Sequence, residues 1–233
     1  MKVGVLYSGG KDSNYALQYA LEKGWDIEYL LSVKPTRTDC YLFHFATVEH
    51  TKELAQILGI KHILKNCSVA DPKKEAEIVK EVVQENPVDA IILGGTGLQV
   101  TQIKSIQDAL LPLGTETFAA HAGLEHSDIF KQMIEQGYKV MITQIAAEGL
   151  TEGWLGKVID EINIHELFKL SKKYGFHNGG DGSAFETLIL DSPLMDQKLV
   201  VEKATRYMES PCVGYLKIDK LHIENKKALS QFH

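Results

Sequence analysis

Apolar positions in this chain alternate between short unbroken runs and runs with helical spacing. Val3, Val5 and Leu6 make the first short run, of the kind a parallel strand buried on both faces needs. Tyr15, Ala16, Leu17, Ala20 and Leu21 follow with i, i+1, i+4 spacing, which suits a helix lying against a sheet. Gly24 ends that crossover, and Asp26 to Val33 reads as a second strand. Lys34 to Thr38 is a polar connection, followed by an aromatic patch from Tyr41 to Phe45 and a helix whose face carries Thr51, Leu54, Ala55 and Leu58. Gly59 closes it, and Ile60 to Leu64 is a third strand. Asp71 and Pro72 form an N-cap and first-turn pair for a helix carrying Ala76, Val79, Val82 and Val83,. Pro87 ends it, Ala90 to Leu93 is a fourth strand running into Gly94-Gly95-Thr96-Gly97, Ile103, Ile106 and Leu110 mark another helix, and Thr115 to Ala120 is a fifth strand. Strands separated by helical crossovers predict an α/β fold: a doubly wound five-stranded parallel sheet with right-handed connections. Ligands of such sheets sit at the carboxyl ends of the strands.

From about residue 123 the rhythm changes. A helix with Ile129, Phe130, Met133 and Ile134 on its face leads past Gly137 to a strand at Lys139 to Ile145. Asn163 with Glu166 three later has the pattern of a capping box, opening a helix with Ile164, Leu167, Phe168 and Tyr174. After Gly179-Gly180-Asp181-Gly182 the pattern is strand-like at Phe185 to Leu190, Lys198 to Lys203 and Tyr215 to Ile223. Two domains are therefore expected, 1–122 around the parallel sheet and a smaller α+β domain over 123–233, with a loose tail from Asn225.

Composition narrows the function classes. A chain of 233 residues buries roughly 70–75% of its unfolded surface, so the core needs no staples. Twenty-five basic against thirty-one acidic residues leave a formal charge of −6, which gives no electrostatic support for tight nucleic-acid binding. Cys40, Cys67 and Cys212 are isolated, so neither a zinc ribbon nor a disulfide framework is indicated, and a reduced, cytoplasmic setting is the natural expectation. The first strand starts near residue 2, leaving no room for a signal peptide, and no stretch has the apolar length of a membrane span,. A homo-oligomer stays open.

The chemistry concentrates between the first strand and its helix, in Ser8-Gly9-Gly10-Lys11-Asp12-Ser13. Gly9 and Gly10 let the backbone turn and bring its N–H groups close to an anion, and the helix that follows presents its positive end to the same point. The run is neither the Gly-x-x-x-x-Gly-Lys-Ser/Thr cradle nor the Gly-x-Gly-x-x-Gly fingerprint. It resembles the PP-loop, SGGxDS, of the N-type ATP pyrophosphatases, which split ATP between the α and β phosphates. The resemblance implies an adenine nucleotide alpha hydrolase-like sheet domain with ATP and magnesium as cofactors. Ser8, Gly9, Gly10 and Ser13 would hold phosphate oxygens, Lys11 would neutralise their charge and Asp12 would lie near the metal. Ser32 from the second strand and Gly94 and Gly95 after the fourth join the nucleotide set. For the Gly94 to Gly97 stretch a plain turn is an equal reading. As a loop carboxylate, Asp12 is expected to matter far more for turnover than for folding.

The second half narrows the acceptor. Gly149-Leu150 with Trp154-Leu155-Gly156, Ser171-Lys172-Lys173-Tyr174-Gly175 with His177, Gly180-Asp181-Gly182, Phe185-Glu186-Thr187 and Leu190-Asp191-Ser192-Pro193-Leu194 closely resemble the diphthine-ammonia ligase family. That family amidates the carboxylate of diphthine, a modified histidine on translation elongation factor 2, consuming ATP and ammonium and releasing AMP and pyrophosphate. The resemblance implies Lys11, Asp12, Asp181 and Glu186 as catalytic residues, the last two for holding ammonium or taking its proton, and His44, Gly180, Gly182 and Thr187 facing the acceptor. A turn role for Asp181, a pairing role for Glu186 and a core-edge role for His44 are the competing readings; His177 reads as structural. The chain departs from the family's pattern at Asp181 and Ala184, each in place of a glutamate, at Leu98 to Gln102, which lacks an aromatic and an arginine, and at Ala119-Ala120-His121 in place of Pro-Leu-Trp. The phosphate loop is intact while the acceptor side has diverged, so a PP-loop enzyme acting on another acceptor such as tRNA, or a non-catalytic adenine-nucleotide sensor, stands as the alternative.

Overall fold

The computed structural model describes residues 1–35, 48–68, 71–94 and 100–226, with the side chains of Pro35, Val100 and Asp181 outside that description. The parallel sheet is built from β1 (Lys2–Leu6), β2 (Asp26–Pro35), β3 (His62–Cys67), β4 (Ala90–Leu93) and β5 (Glu116–Ala119) in the order β3-β2-β1-β4-β5. All four of its strand pairings are parallel, because helices α1 (Lys11–Glu22), α2 (Thr51–Leu58), α3 (Pro72–Glu85) and α4 (Val100–Leu110) carry the chain back between strands,. The order reverses beside β1, so the carboxyl ends of β1 and β4 flank the switch point where such sheets bind ligands.

Beyond it, α5 (His126–Glu135) leads to β6 (Lys139–Ala146), β7 (Val158–Ile159), α6 (Asn163–Tyr174), β8 (Phe185–Asp191), β9 (Gln197–Ser210) and β10 (Val213–Asn225). These strands form an antiparallel sheet in which β6 pairs with β8 on one edge and with β7 and then β10 on the other. The fold class expected from the apolar pattern is the one observed. Among the described residues no helix is long and apolar enough to cross a membrane.

Two differences from the sequence reading are instructive. The last two strands run well past Lys198 to Lys203 and Tyr215 to Ile223, and pair along nearly their whole lengths as a ribbon. Most of its distal part is exposed, so backbone hydrogen bonding rather than an apolar alternation extends it, and apolar pattern is what sequence reading senses. The capping box at Asn163 does not form. Asp160 Oδ1 instead accepts from the backbone N–H groups of Ile162 and Asn163 at 2.9 and 2.8 Å, while the Asn163 amide donates backwards to Val158 O.

One apolar cluster runs unbroken from Val5, Tyr7 and Leu17 through Leu54 and Phe130 to Ile142, Phe185 and Leu188. A second, with Leu31, Val79, Val82, Ile91 and Ile106, fills the other face of the parallel sheet. The larger cluster joins the two sheets, so the surface of β8 is part of the packing under the phosphate loop. At the far end of the parallel sheet, Asp71 caps α3 through the Lys73 and Lys74 N–H groups, and Glu75 is buried behind it. Burial, followed by the Asp71 charge, pushes the Glu75 carboxyl up to about 7. The folded chain then holds a proton that the unfolded chain has released, so stability falls as pH rises from the ordinary carboxylate range to about 7,. Glu75→Gln should abolish this slope. Its melting temperature should match that of the parent near pH 5 and exceed it at pH 8 by roughly 4–8 °C, equivalent to about 2 kcal/mol.

Candidate active site

Strand β1 is short and fully apolar past Lys2, so the chain leaves the sheet at Tyr7 and must turn at once to begin α1. Ser32 Oγ donates to Tyr7 O at 2.6 Å, and His62 Nε2 lies 3.0 Å from the same hydroxyl, which pins the loop entry. Gly9 adopts φ +79°, a left-handed conformation that favours glycine. Gly10 is extended and precedes the helix without a capping side chain. The turn is closed from inside by Ser13 Oγ and Asn14 Nδ2, which donate to Gly10 O at 3.0 and 2.9 Å, and by Ser8 Oγ, which lies 3.3 Å from Ser13 Oγ. Tyr7 O–H donates to Asn14 Oδ1 at 3.1 Å, beneath the loop.

The antiparallel sheet clamps the loop from the other side. Ile189 N donates to Gly9 O at 2.9 Å, and Lys11 N donates to Thr187 Oγ1 at 3.1 Å. A Cβ on Gly10 would lie only 3.0 Å from Thr187 O, so glycine gives the closest fit where β8 passes. Gly94, at the end of β4, packs against the backbone of Asp12 and Ser13, its missing Cβ only 2.7 Å from Ser13 N.

Lys11 is 4% exposed. Its Nζ lies 5.6 Å from the Phe130 ring centre and 5.9 Å from that of Phe185, and donates to Asp12 Oδ2 at 2.7 Å. The other oxygen, Asp12 Oδ1, is 3.3 Å from His121 Nε2. Burial raises the Asp12 carboxyl, but the Lys11 charge and the His121 hydrogen bond outweigh it and hold the group well below the usual carboxylate range. Asp12 is therefore ionised at neutral pH, and its pairing stabilises the fold down to the ordinary carboxylate range, fading only below it. His121 is stacked on His126, with ring centres 4.8 Å apart, and His126 meets His177 edge-on at 5.2 Å.

Of the residues expected from sequence, the structure brings Ser8, Gly9, Gly10, Lys11, Asp12 and Ser13 into one loop, with Gly94 behind it and Thr187 bonded to it. Ser32 is fully buried and holds the loop's entry. Glu186 sits on β8 opposite Gln144. Strand alternation turns it to the face away from Phe185 and Thr187. Gly180 and Gly182 have φ +84° and +75°, and Asp181 opens the tight turn Asp181–Ser183 between them. His44 and Gly95 lie outside the described residues. Sequence reading missed His126 and noted His121 only as a departure at the end of β5. The two histidines are separated from Asp12 by most of the parallel sheet, and their spacing is no motif.

This arrangement is suited to a polyanion. Loop amides, the start of α1 and a buried ammonium lie within one short segment at a sheet's carboxyl edge,. For magnesium, Asp12 is the one carboxylate in the loop, which fits an ion held by one carboxylate together with substrate phosphates and water.

Known proteins resemble this chain in sequence. The family model described as the diphthamide synthase N-terminal domain matches residues 1–110, and that described as the diphthamide synthase C-terminal domain matches residues 125–223. Diphthine–ammonia ligase of Homo sapiens is 27% identical over 97% of this chain and 94% of its own length. The protein of the same name from Mus musculus is 28% identical over the same shares. That of Schizosaccharomyces pombe is 26% identical over 94% of this chain but 39% of its own length. With both halves matched in order and the phosphate loop intact, this chain belongs to the diphthamide synthase family.

Proposed function

We propose that the chain is an ATP-dependent diphthine–ammonia ligase, amidating the carboxylate of diphthine on translation elongation factor 2 in the cytoplasm. The observation that carries this reading is the junction between the phosphate loop and β8, where Thr187 and Ile189 of the second sheet hold the loop's backbone. The segment that follows the Gly180 turn is thereby attached to the place where the nucleotide would be cleaved.

A carboxylate is a poor electrophile until one of its oxygens becomes part of a leaving group. Attack of that oxygen on the α phosphorus of ATP forms an acyl-adenylate and expels pyrophosphate. Ammonia then attacks the acyl carbon, AMP leaves and the amide remains, with one proton given up to a base. Lys11 would lie against the departing pyrophosphate, while the loop amides and the α1 terminus hold its oxygens. Magnesium, carried on the nucleotide phosphates beside Asp12, would supply further charge neutralisation. Asp181 and Glu186 are the carboxylates proposed to hold ammonium or accept its proton, with Gly180 and Gly182 shaping the turn and His44 toward the acceptor.

The test is an AMP-release assay with elongation factor 2 carrying diphthine, ATP and magnesium. AMP and pyrophosphate should appear in equal amounts, and amide formation should require ammonium. Production of ADP, or AMP release indifferent to the acceptor, would overturn the reading.

A further inference from the structure

We propose that Asp12, His121 and His126 form a three-ligand site for a divalent transition-metal ion of the manganese, cobalt and zinc class, at the edge of the phosphate loop. One ligand atom from each residue lies within 4.8 Å of the other two. Ligands of a tetrahedral ion at about 2.1 Å stand roughly 3.4 Å apart. Asp12 Oδ1 and His121 Nε2 already meet that spacing, at 3.3 Å, and His126 completes the set with a side-chain shift of roughly 1 Å.

The two imidazoles are closely packed. His121 is fully buried and His126 is 7% exposed. His121 lies between the Tyr15 ring, at 4.7 Å, and the His126 ring. Gly179 presses on His126 closely enough that a Cβ there would lie 2.6 Å from the His126 Cβ. His177 stands against the edge of His126 and accepts from Gly179 N at 3.2 Å. Three sequence-distant elements thus bring two nitrogen donors beside one carboxylate.

The donor chemistry decides the ion. Magnesium prefers oxygen ligands in octahedral geometry, whereas a pair of imidazoles with a carboxylate favours the later first-row dications. Asp12 divides its oxygens, with Oδ2 on Lys11 and Oδ1 on the histidine side, so binding need not break the lysine pair. Three protein ligands leave a coordination position open, as in catalytic rather than structural sites, and the Asp12 side chain is 32% exposed. The Lys11 charge cancels that of Asp12, so an added dication has no net protein anion to neutralise it. Phosphate oxygens would supply that charge, and by linkage pyrophosphate should tighten the ion's binding as the ion tightens that of pyrophosphate.

The site deepens the ligase reading and relies on it for the ion's role, not for its binding. The experiment takes the full chain stripped with a chelator and titrates Co²⁺ by calorimetry and visible ligand-field absorption, with and without pyrophosphate. One Co²⁺ should bind per chain with nitrogen-ligand bands, about tenfold tighter with pyrophosphate, and a hundredfold excess of Mg²⁺ should not displace it. His121→Gln and His126→Gln should each weaken binding at least tenfold. Since His121 is buried and its variant could unfold, histidine ring NMR signals of the parent chain provide a second readout, and those of His121 and His126 should shift on adding Zn²⁺. Absence of Co²⁺ binding, equal binding by His126→Gln, or displacement by a hundredfold excess of Mg²⁺ would overturn the proposal. Co²⁺ binding without AMP release from any acceptor would remove the ligase reading and leave this site standing. AMP release with Mg²⁺ and no Co²⁺ binding would do the reverse.

Discussion

Asp12→Asn is expected to lower pyrophosphate release by about 10³-fold and, at the same time, to destabilise the fold by about 1–3 kcal/mol. The second effect departs from what the sequence suggests, since a loop carboxylate ordinarily contributes little to folding. Here its partner is the reason. Lys11 is 4% exposed, packed between Phe130 and Phe185, and its Nζ donates to Asp12 Oδ2. Neutralising Asp12 leaves a buried ammonium without its counter-charge, and the cost is moderated because Asp12 itself is 32% exposed. The two effects can be separated. Lys11→Met in the Asp12→Asn background replaces the buried charge by an apolar chain between two aromatic rings, and should recover most of the lost stability while pyrophosphate release stays at or below the lower level. Urea midpoints and a pyrophosphate assay on the three proteins decide the matter. Wild-type release by Asp12→Asn would take the loop out of the reaction.

Gly94→Ala should be strongly damaging. The new Cβ would run into the Asp12 carbonyl and the Ser13 N–H, both backbone groups at the start of α1 that no rotamer change can move aside. Overpacking of this kind costs about 3 kcal/mol, a fall of roughly 6–12 °C in melting temperature. The relief available is a shift of the loop itself, so nucleotide turnover should drop by at least about 100-fold. Gly114→Ala is the control. Gly114 has φ +69° but nothing within 4 Å of its missing Cβ, so only the backbone term of about 1 kcal/mol applies and turnover should be unchanged. Equal melting losses in the two variants would mean that the loop backbone yields to the methyl at little cost, and would overturn the prediction.

Much of the parallel sheet was legible because its cues are local. Strands β1 and β4 are short apolar runs, the crossovers have helical periodicity, and Asp71 with Pro72 marks a helix start that the structure reproduces. By contrast β3, expected at Ile60 to Leu64, runs His62–Cys67, because its second half carries Lys65 and Asn66 outside any apolar pattern. The phosphate loop was legible for the same reason, being six consecutive residues whose types suit one turn. The ribbon of β9 and β10 was half read, since its outer part has no buried face to impose a pattern. The cap of α6 was misread by three residues because Asp160 and Asn163 both have the chemistry of a cap, and the geometry of the preceding turn selects between them.

The loop's surroundings follow a different logic. The order of strands, helices and glycines along the chain suffices to put a phosphate-binding turn at the carboxyl edge of a parallel sheet, because hydrophobic periodicity and turn chemistry act between near neighbours. What that turn touches depends on residues that meet only after the sheets dock. Thr187 reaches the Lys11 N–H from a strand of the other sheet. His121 and His126 arrive at Asp12 from beyond β5. Lys11 becomes buried when Phe130 and Phe185 close over it. Such contacts are set by the packing of one continuous core across both sheets, and no local pattern encodes them.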